Sequence, residues 1–258
     1  MYNDLLKIGP FVLHSYGLMI GIGFLLAVHI AEKRAPLNKM DPDTVGYFGL
    51  YCAVTGIFGA KLLYCILGWR EFLKNPLAML GSSGLVVYGG IIVGILSAIV
   101  YCKIKKVHFL DYFDLVLPSV AIAQGFGRIG CFMAGCCYGK ETHAWYGIAF
   151  HHSSYAPNGV KMIPTQLISS AGMFLIAFAL FWYARYAKKA GQVGAMYMIL
   201  YSIGRFLVEF LRGDLIRGQV GFLSTSQFIS VFIVIIGVGL WIYFGKKGLD
   251  RPQANQAK

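Results

Sequence analysis

Charged residues are scarce in this chain. They make up 13% of its 258 residues, and only 11 are acidic, whereas soluble domains carry about 25% charged residues. With 57% of residues hydrophobic, a soluble globular fold is excluded and a polytopic membrane protein is indicated. A disulfide framework is also lacking. Of the six cysteines, Cys52, Cys65 and Cys102 fall in or at the ends of apolar runs, where cysteine behaves as a small hydrophobe. Only Cys131, Cys136 and Cys137 cluster, and their C-x4-C-C spacing lacks the C-x2-C pair typical of zinc sites. No metal is expected on that spacing. Met1-Tyr2-Asn3-Asp4 has no basic stretch ahead of the first apolar run, so no cleaved signal peptide is expected. The 23 basic residues give a net charge of +12. In a membrane protein that excess meets anionic headgroups and does not call for nucleic acid.

What is present in abundance is apolar sequence. Seven runs approach the ~20 residues a crossing needs: Phe11–Ile30, Val45–Leu67, Gly84–Cys102, Phe113–Phe132, Thr165–Tyr183, Val193–Phe210 and Phe222–Phe244. An all-α membrane protein of about seven spans is therefore expected. Lys33, Arg34 and Lys39 follow the first run, and Lys103, Lys105 and Lys106 the third. Arg185, Lys188 and Lys189 follow the fifth, and Lys246, Lys247, Arg251 and Lys258 the seventh. The other side carries Lys7, Arg70, Lys74, Arg128, Lys140, Lys161, Arg212 and Arg217 over longer segments. By the positive-inside rule the N-terminus is outside and the C-terminus cytoplasmic. The chain then divides into one transmembrane domain over residues 1–248 and a polar tail over 249–258, expected to be disordered. A small outer lobe is expected at about 133–164, with Thr165 capping the fifth span.

Chemistry concentrates in Gln124–Gly139, which holds Arg128, three cysteines and five glycines in sixteen residues. Such glycine density is expected to interrupt a helix and to admit a ligand. An arginine there suggests an anion held at the membrane boundary. In the sixth run Tyr201, Arg205 and Glu209 recur at i, i+4 and i+8, on one helical face. On the expected topology Tyr16, Tyr88-Gly89-Gly90, Arg128 and this face all lie in the outer half of the membrane. Lys61 does too, where it is free to snorkel. Two arginines at one depth suit a phospholipid phosphate. Two other classes remain open on the residues alone. One is a membrane thiol oxidoreductase using Cys131, Cys136 and Cys137. The other is a non-enzymatic lipid or solute transporter, although no internal repeat is evident.

These residues resemble the prolipoprotein diacylglyceryl transferase family over nearly the whole chain. The resemblance rests on Tyr16-Gly17, Tyr88-Gly89-Gly90, Gln124-Gly-x-Gly-Arg128-x-Gly, Pro164-Thr165-Gln166-Leu167 and Tyr201-x3-Arg205-x3-Glu209. Tyr88 replaces the family's usual His, Cys131 its usual Asn, Cys136 an acidic residue and Ile163 a His. The resemblance implies transfer of the diacylglyceryl group of phosphatidylglycerol to the lipobox cysteine of a preprolipoprotein, releasing glycerol 1-phosphate. It implies work at the outer face of a bacterial cytoplasmic membrane, without a cofactor. Arg128, Arg205, Glu209 and Tyr88 are then the expected catalytic set. Tyr16, Gly89, Gly90, Gln124, Gly127 and Tyr201 are expected to bind the lipid, with Gly89 and Gly90 opening the third helix to it. For Cys131, Cys136 and Cys137 three roles stand: small residues beside a lipid, a disulfide bracing the arginine loop, or a metal or covalent role.

Overall fold

The computed structural model describes residues 4–8, 11–82, 84–153, 155–214 and 218–251. Arg217, Lys258 and the tail 252–258, which entered the charge and domain expectations, lie outside them. A hairpin of β1 (Asp4–Ile8) and β2 (Phe11–His14) leads into α1 (Ser15–Arg34). The helices α2 (Pro42–Leu67), α3 (Trp69–Lys74), α4 (Pro76–Gly81), α5 (Val87–Lys105) and α6 (Phe109–Ala134) follow. Next come β3 (Ile148–Ala149), β4 (Lys161–Met162), α7 (Thr165–Ala184) and α8 (Gln192–Glu209). A last hairpin, β5 (Gln219–Val220) and β6 (Leu223–Ser224), precedes α9 (Thr225–Lys247).

The protein is an all-α polytopic membrane protein. Among the described residues six helices, α1, α2, α5, α6, α7 and α9, are long and apolar enough to cross a membrane. The other long helix, α8, falls outside that class and carries Arg205 and Glu209. The first expected run starts too early: Phe11–His14 is a strand, and the helix begins at Ser15.

Centrally placed α6 packs against α1, α7 and α8, while α2 pairs with α5 and α8 with α9. The expected break in α6 does not occur. It runs unbroken through Gly125, Gly127 and Gly130 and stops at Gly135, whose φ of +72° ends the helix in the left-handed region that glycine enters freely. Two of those glycines are spent on helix packing. A Cβ at Gly125 would lie 2.7 Å from the Phe174 ring of α7, and one at Gly130 would lie 3.1 Å from the Tyr16 ring of α1. The same economy joins α2 to α5. A Cβ at Gly89 would come within 2.4 Å of the Gly59 carbonyl oxygen, and one at Gly90 within 3.0 Å of the Gly56 carbonyl oxygen. Gly89 and Gly90 therefore face α2, and the expectation that they open α5 to lipid is corrected. Small residues let helices approach closely in a solvent that offers little hydrophobic drive between them.

The basic end of the bundle is tied by Asp114, fully buried on α6. Its carboxylate accepts from the amides of Gly191 (2.9 Å) and Gly194 (2.8 Å), holding the start of α8, and Arg251 lies 3.8 Å away. Arg251 also donates to the Ala184 carbonyl at 3.2 Å, and Asp250 pairs with Lys189 at 2.8 Å. Leu249–Arg251 thus docks on the bundle, and a disordered tail starting after Gly248 is corrected for these three residues. At the opposite end Lys61 is not snorkelling. It donates to the Ser82 carbonyl at 2.6 Å and the Gly84 carbonyl at 3.3 Å, fastening the turn after α4.

Candidate functional site

The opposite end gathers the C-termini of α6 and α8 and the N-termini of α7 and α9. There Arg128 of α6, Ser169 and Gly172 of α7, and Tyr201, Gly204 and Arg205 of α8 line one cleft. Its walls are α7 and α8, and Arg128 stands on the α6 side. The Tyr201–Arg205–Glu209 spacing does place all three on one face, as a 3.6-residue period requires. Arg205 pairs with Glu209 at 2.7 Å and donates to the Ser226 hydroxyl at 2.9 Å. Ser224 donates to the other Glu209 oxygen at 3.0 Å. That serine also caps α9 in a reciprocal box with Gln227. The Arg205 guanidinium is thus held from two helices. Arg128 differs: half-buried, it makes no hydrogen bond or ion pair with any described residue.

Gln124 accepts a hydrogen bond from the Tyr197 hydroxyl at 2.8 Å, and the Tyr197 ring stacks on Tyr201 with centroids 5.7 Å apart. Tyr197 went unnoticed in the sequence, although it extends the Tyr201–Arg205–Glu209 face by one turn. Ser224 and Ser226 were also missed. Only the capping pattern Ser224-x2-Gln227 hinted at the first. A Cβ at Gly127 would meet nothing within 4 Å, so this glycine is not used for packing. Tyr88 is 58% exposed on the first turn of α5 and does not line the arginine cleft. Tyr16 rests against Gly130 beside the cysteine cluster.

The motif around Thr165 has a different use from the one expected. Helix α7 starts at Thr165 with Pro164 in the cap position and no side-chain cap. The Thr165 hydroxyl donates instead to the Cys137 carbonyl at 2.8 Å, and the Gln166 amide donates to the Cys136 carbonyl at 2.8 Å. Both side chains are buried, so they pin the turn after α6 to the start of α7. The segment beyond α8 adds a third tie: the Lys140 backbone amide donates to the Leu211 carbonyl at 2.9 Å, and the Gly213 amide to the Tyr138 carbonyl at 3.2 Å. Around this turn Phe150, Ala156 and Met162 form a small buried cluster with Phe132 and Tyr138.

All six cysteines are free thiols. The sulfurs of Cys131, Cys136 and Cys137 nonetheless lie within 4.8 Å of one another. Thiol hydrogen bonds from Cys131 and Cys136, with the Arg212 guanidinium behind them, hold the Cys137 thiol well below its ordinary range. Cys136 moves the opposite way, because its neighbours Cys131 and Cys137 compete for the negative charge. Arg212 is itself fixed by a two-pronged pair with Asp214, at 2.8 and 2.6 Å.

Fold and site define a class: a multi-pass membrane protein with an arginine-lined cleft between helices. The family model described as prolipoprotein diacylglyceryl transferase matches residues 3–243. A phosphatidylglycerol–prolipoprotein diacylglyceryl transferase of Clostridium tetani is 49% identical over 88% of this chain and 91% of its own length. The Clostridium perfringens protein named as transferase 2 of that kind is 46% identical, covering 89% and 90%. The Streptococcus uberis transferase is 35% identical, covering 90% and 91%. The chain belongs to the prolipoprotein diacylglyceryl transferase family.

Proposed function

We propose that this protein transfers the diacylglyceryl group of phosphatidylglycerol to the lipobox cysteine thiol of preprolipoproteins. The observation that carries this reading is Arg128. A guanidinium with no hydrogen-bond or ion-pair partner among the described residues, in a cleft shared with a braced second arginine, suits the single phosphate of an anionic lipid. Family membership supplies the reaction class, and the cleft supplies residues for its central demand.

That demand is charge on a leaving group. The thiol sulfur attacks the glyceryl carbon that bears the phosphate ester, the carbon–oxygen bond breaks, and glycerol 1-phosphate leaves with the electron pair. The thiol proton is released. Arg128 and Arg205 grip the phosphate and stabilise the charge that develops on the departing oxygen. Glu209 and Ser226 hold Arg205 in place, so little reorganisation is needed at the moment of transfer. Tyr201, supported through Tyr197 and Gln124, hydrogen-bonds the lipid's oxygens. Gly127 leaves room beside Arg128, and Tyr16 borders the thiol's approach. A free thiol of pKa about 8.5 is already partly ionised near neutrality, and two guanidinium groups raise that fraction. Tyr88, outside the cleft, takes no part in the step.

The topology belongs to the same proposal. Seven crossings, counting α8, put the N-terminus outside, the basic end in the cytoplasm and the cleft in the outer leaflet of a bacterial inner membrane. The direct test incubates purified protein with phosphatidylglycerol and a lipobox peptide and weighs the peptide by mass spectrometry. A diacylglyceryl mass gain on the cysteine, lost in Arg128→Ala, is expected. Full lipidation by that variant, or no gain with the intact protein, overturns the proposal.

A further inference from the structure

Cys131, Cys136 and Cys137 form a cluster that the transfer reaction does not use. Their C-x4-C-C spacing argues against a metal site as long as the chain is read as a line. Three-dimensional structure removes that objection. Helix α6 ends on Gly135, whose left-handed backbone folds the chain back, and the Cys136 amide donates to the Cys131 carbonyl at 3.1 Å. Five residues of spacing thereby collapse to sulfur contact, with all three Sγ atoms within 4.8 Å. Cys137 follows with φ of +60°, a backbone conformation that residues with a side chain rarely adopt. Its sulfur joins the other two from that position.

Zinc bonded to thiolates at about 2.3 Å in tetrahedral geometry sets sulfurs about 3.8 Å apart. The three thiols lie within an ångström or so of one complete face of that tetrahedron. We infer that Cys131, Cys136 and Cys137 bind a thiophilic divalent ion of the zinc class.

Two further observations point the same way. The turn is held through its carbonyls, which accept from Thr165 and Gln166 on α7, so its backbone is fixed without drawing on the three sulfurs. Three thiolates on a divalent ion leave one net negative charge, and the Arg212 guanidinium lies beside the Cys137 sulfur to offset it. A charged partner behind a metal ligand is the usual second layer of such sites. A disulfide would use only two of the sulfurs, and adjacent Cys136 and Cys137 could close only a strained ring. Metal binding employs all three. Cys136 and Cys137 are half-buried and Cys131 buried, which leaves the ion a route of entry from one side.

The test uses the full-length protein in detergent, reduced and stripped of metal under anaerobic conditions. Titration with Co2+ is expected to give a thiolate-to-cobalt charge-transfer band saturating at one ion per chain and removed by Zn2+. The Cys52→Ser/Cys65→Ser/Cys102→Ser variant should keep the band, and Cys131→Ser/Cys136→Ser/Cys137→Ser should lose it. Arg212→Gln should bind roughly tenfold more weakly. Because the triple variant of the cluster could fail to fold, N-ethylmaleimide labelling of the unmutated protein provides a second measurement. Zn2+ should protect these three cysteines and no others. Absence of the band in fully reduced protein, or unchanged labelling with Zn2+, overturns the inference. So does a disulfide within the trio that persists during zinc loading.

Discussion

Arg205 and Glu209 lie 2.7 Å apart across one turn of α8, and the start of α9 closes around them through Ser226 and Ser224. The pair belongs to two helices at once, so removing either member leaves a buried charge and a loosened α8–α9 contact. Breaking such a pair from one side costs about 3–5 kcal/mol. Glu209→Ala and Arg205→Ala are each expected to lower thermal stability in detergent and to abolish lipidation. The double variant should be little worse than either single one, a non-additivity that a double-mutant cycle reads directly.

Arg128 separates from that behaviour because no described residue leans on it. Arg128→Ala should leave the melting temperature nearly unchanged while kcat falls by roughly 10²–10³-fold, the effect of removing one donor from a developing oxyanion. Arg128→Lys should fall between, since lysine keeps the charge without the planar fork. Circular dichroism melts run beside the lipidation assay decide it. Joint loss of fold and activity would count against this account.

The glycines divide into two kinds with opposite expectations. Gly89→Ala sets a methyl against the Gly59 carbonyl, and overpacking of this sort costs about 1–3 kcal/mol. Gly127→Ala meets open space and should add up to about 1 kcal/mol of helix stability. If lipid occupies that space, the more stable variant turns over more slowly. Paired melting and activity measurements on both variants test this.

Tyr197→Phe strands the Gln124 oxygen inside the bundle, at a cost of about 1–3 kcal/mol, and should reduce activity through Tyr201. Tyr88→Phe, on the exposed turn of α5, should retain full activity. Equal losses in the two variants would return Tyr88 to the catalytic set.

Much of the bundle was legible in the sequence because apolar runs and helical periodicity are local signals. Tyr201, Arg205 and Glu209 fell on one face for that reason. What stayed hidden depends on partners distant in the chain. Nothing near Gly89 reveals that its missing side chain is filled by Gly59 of another helix. Nothing near Thr165 says that its hydroxyl serves Cys137 and not its own helix. The glycine-rich stretch misled in the same way. Its composition resembles that of a loop, yet α1 and α7 pack against Gly130 and Gly125 in an unbroken helix.

The cleft is walled by two adjacent helices, α7 and α8, and a lipid donor reaches such a place by sliding within the leaflet. Its supply is then set by surface density, not by concentration in water. Apparent KM for the lipid should follow its mole fraction in a mixed micelle. Diluting phosphatidylglycerol with neutral detergent would slow the enzyme even as its bulk molarity stays constant.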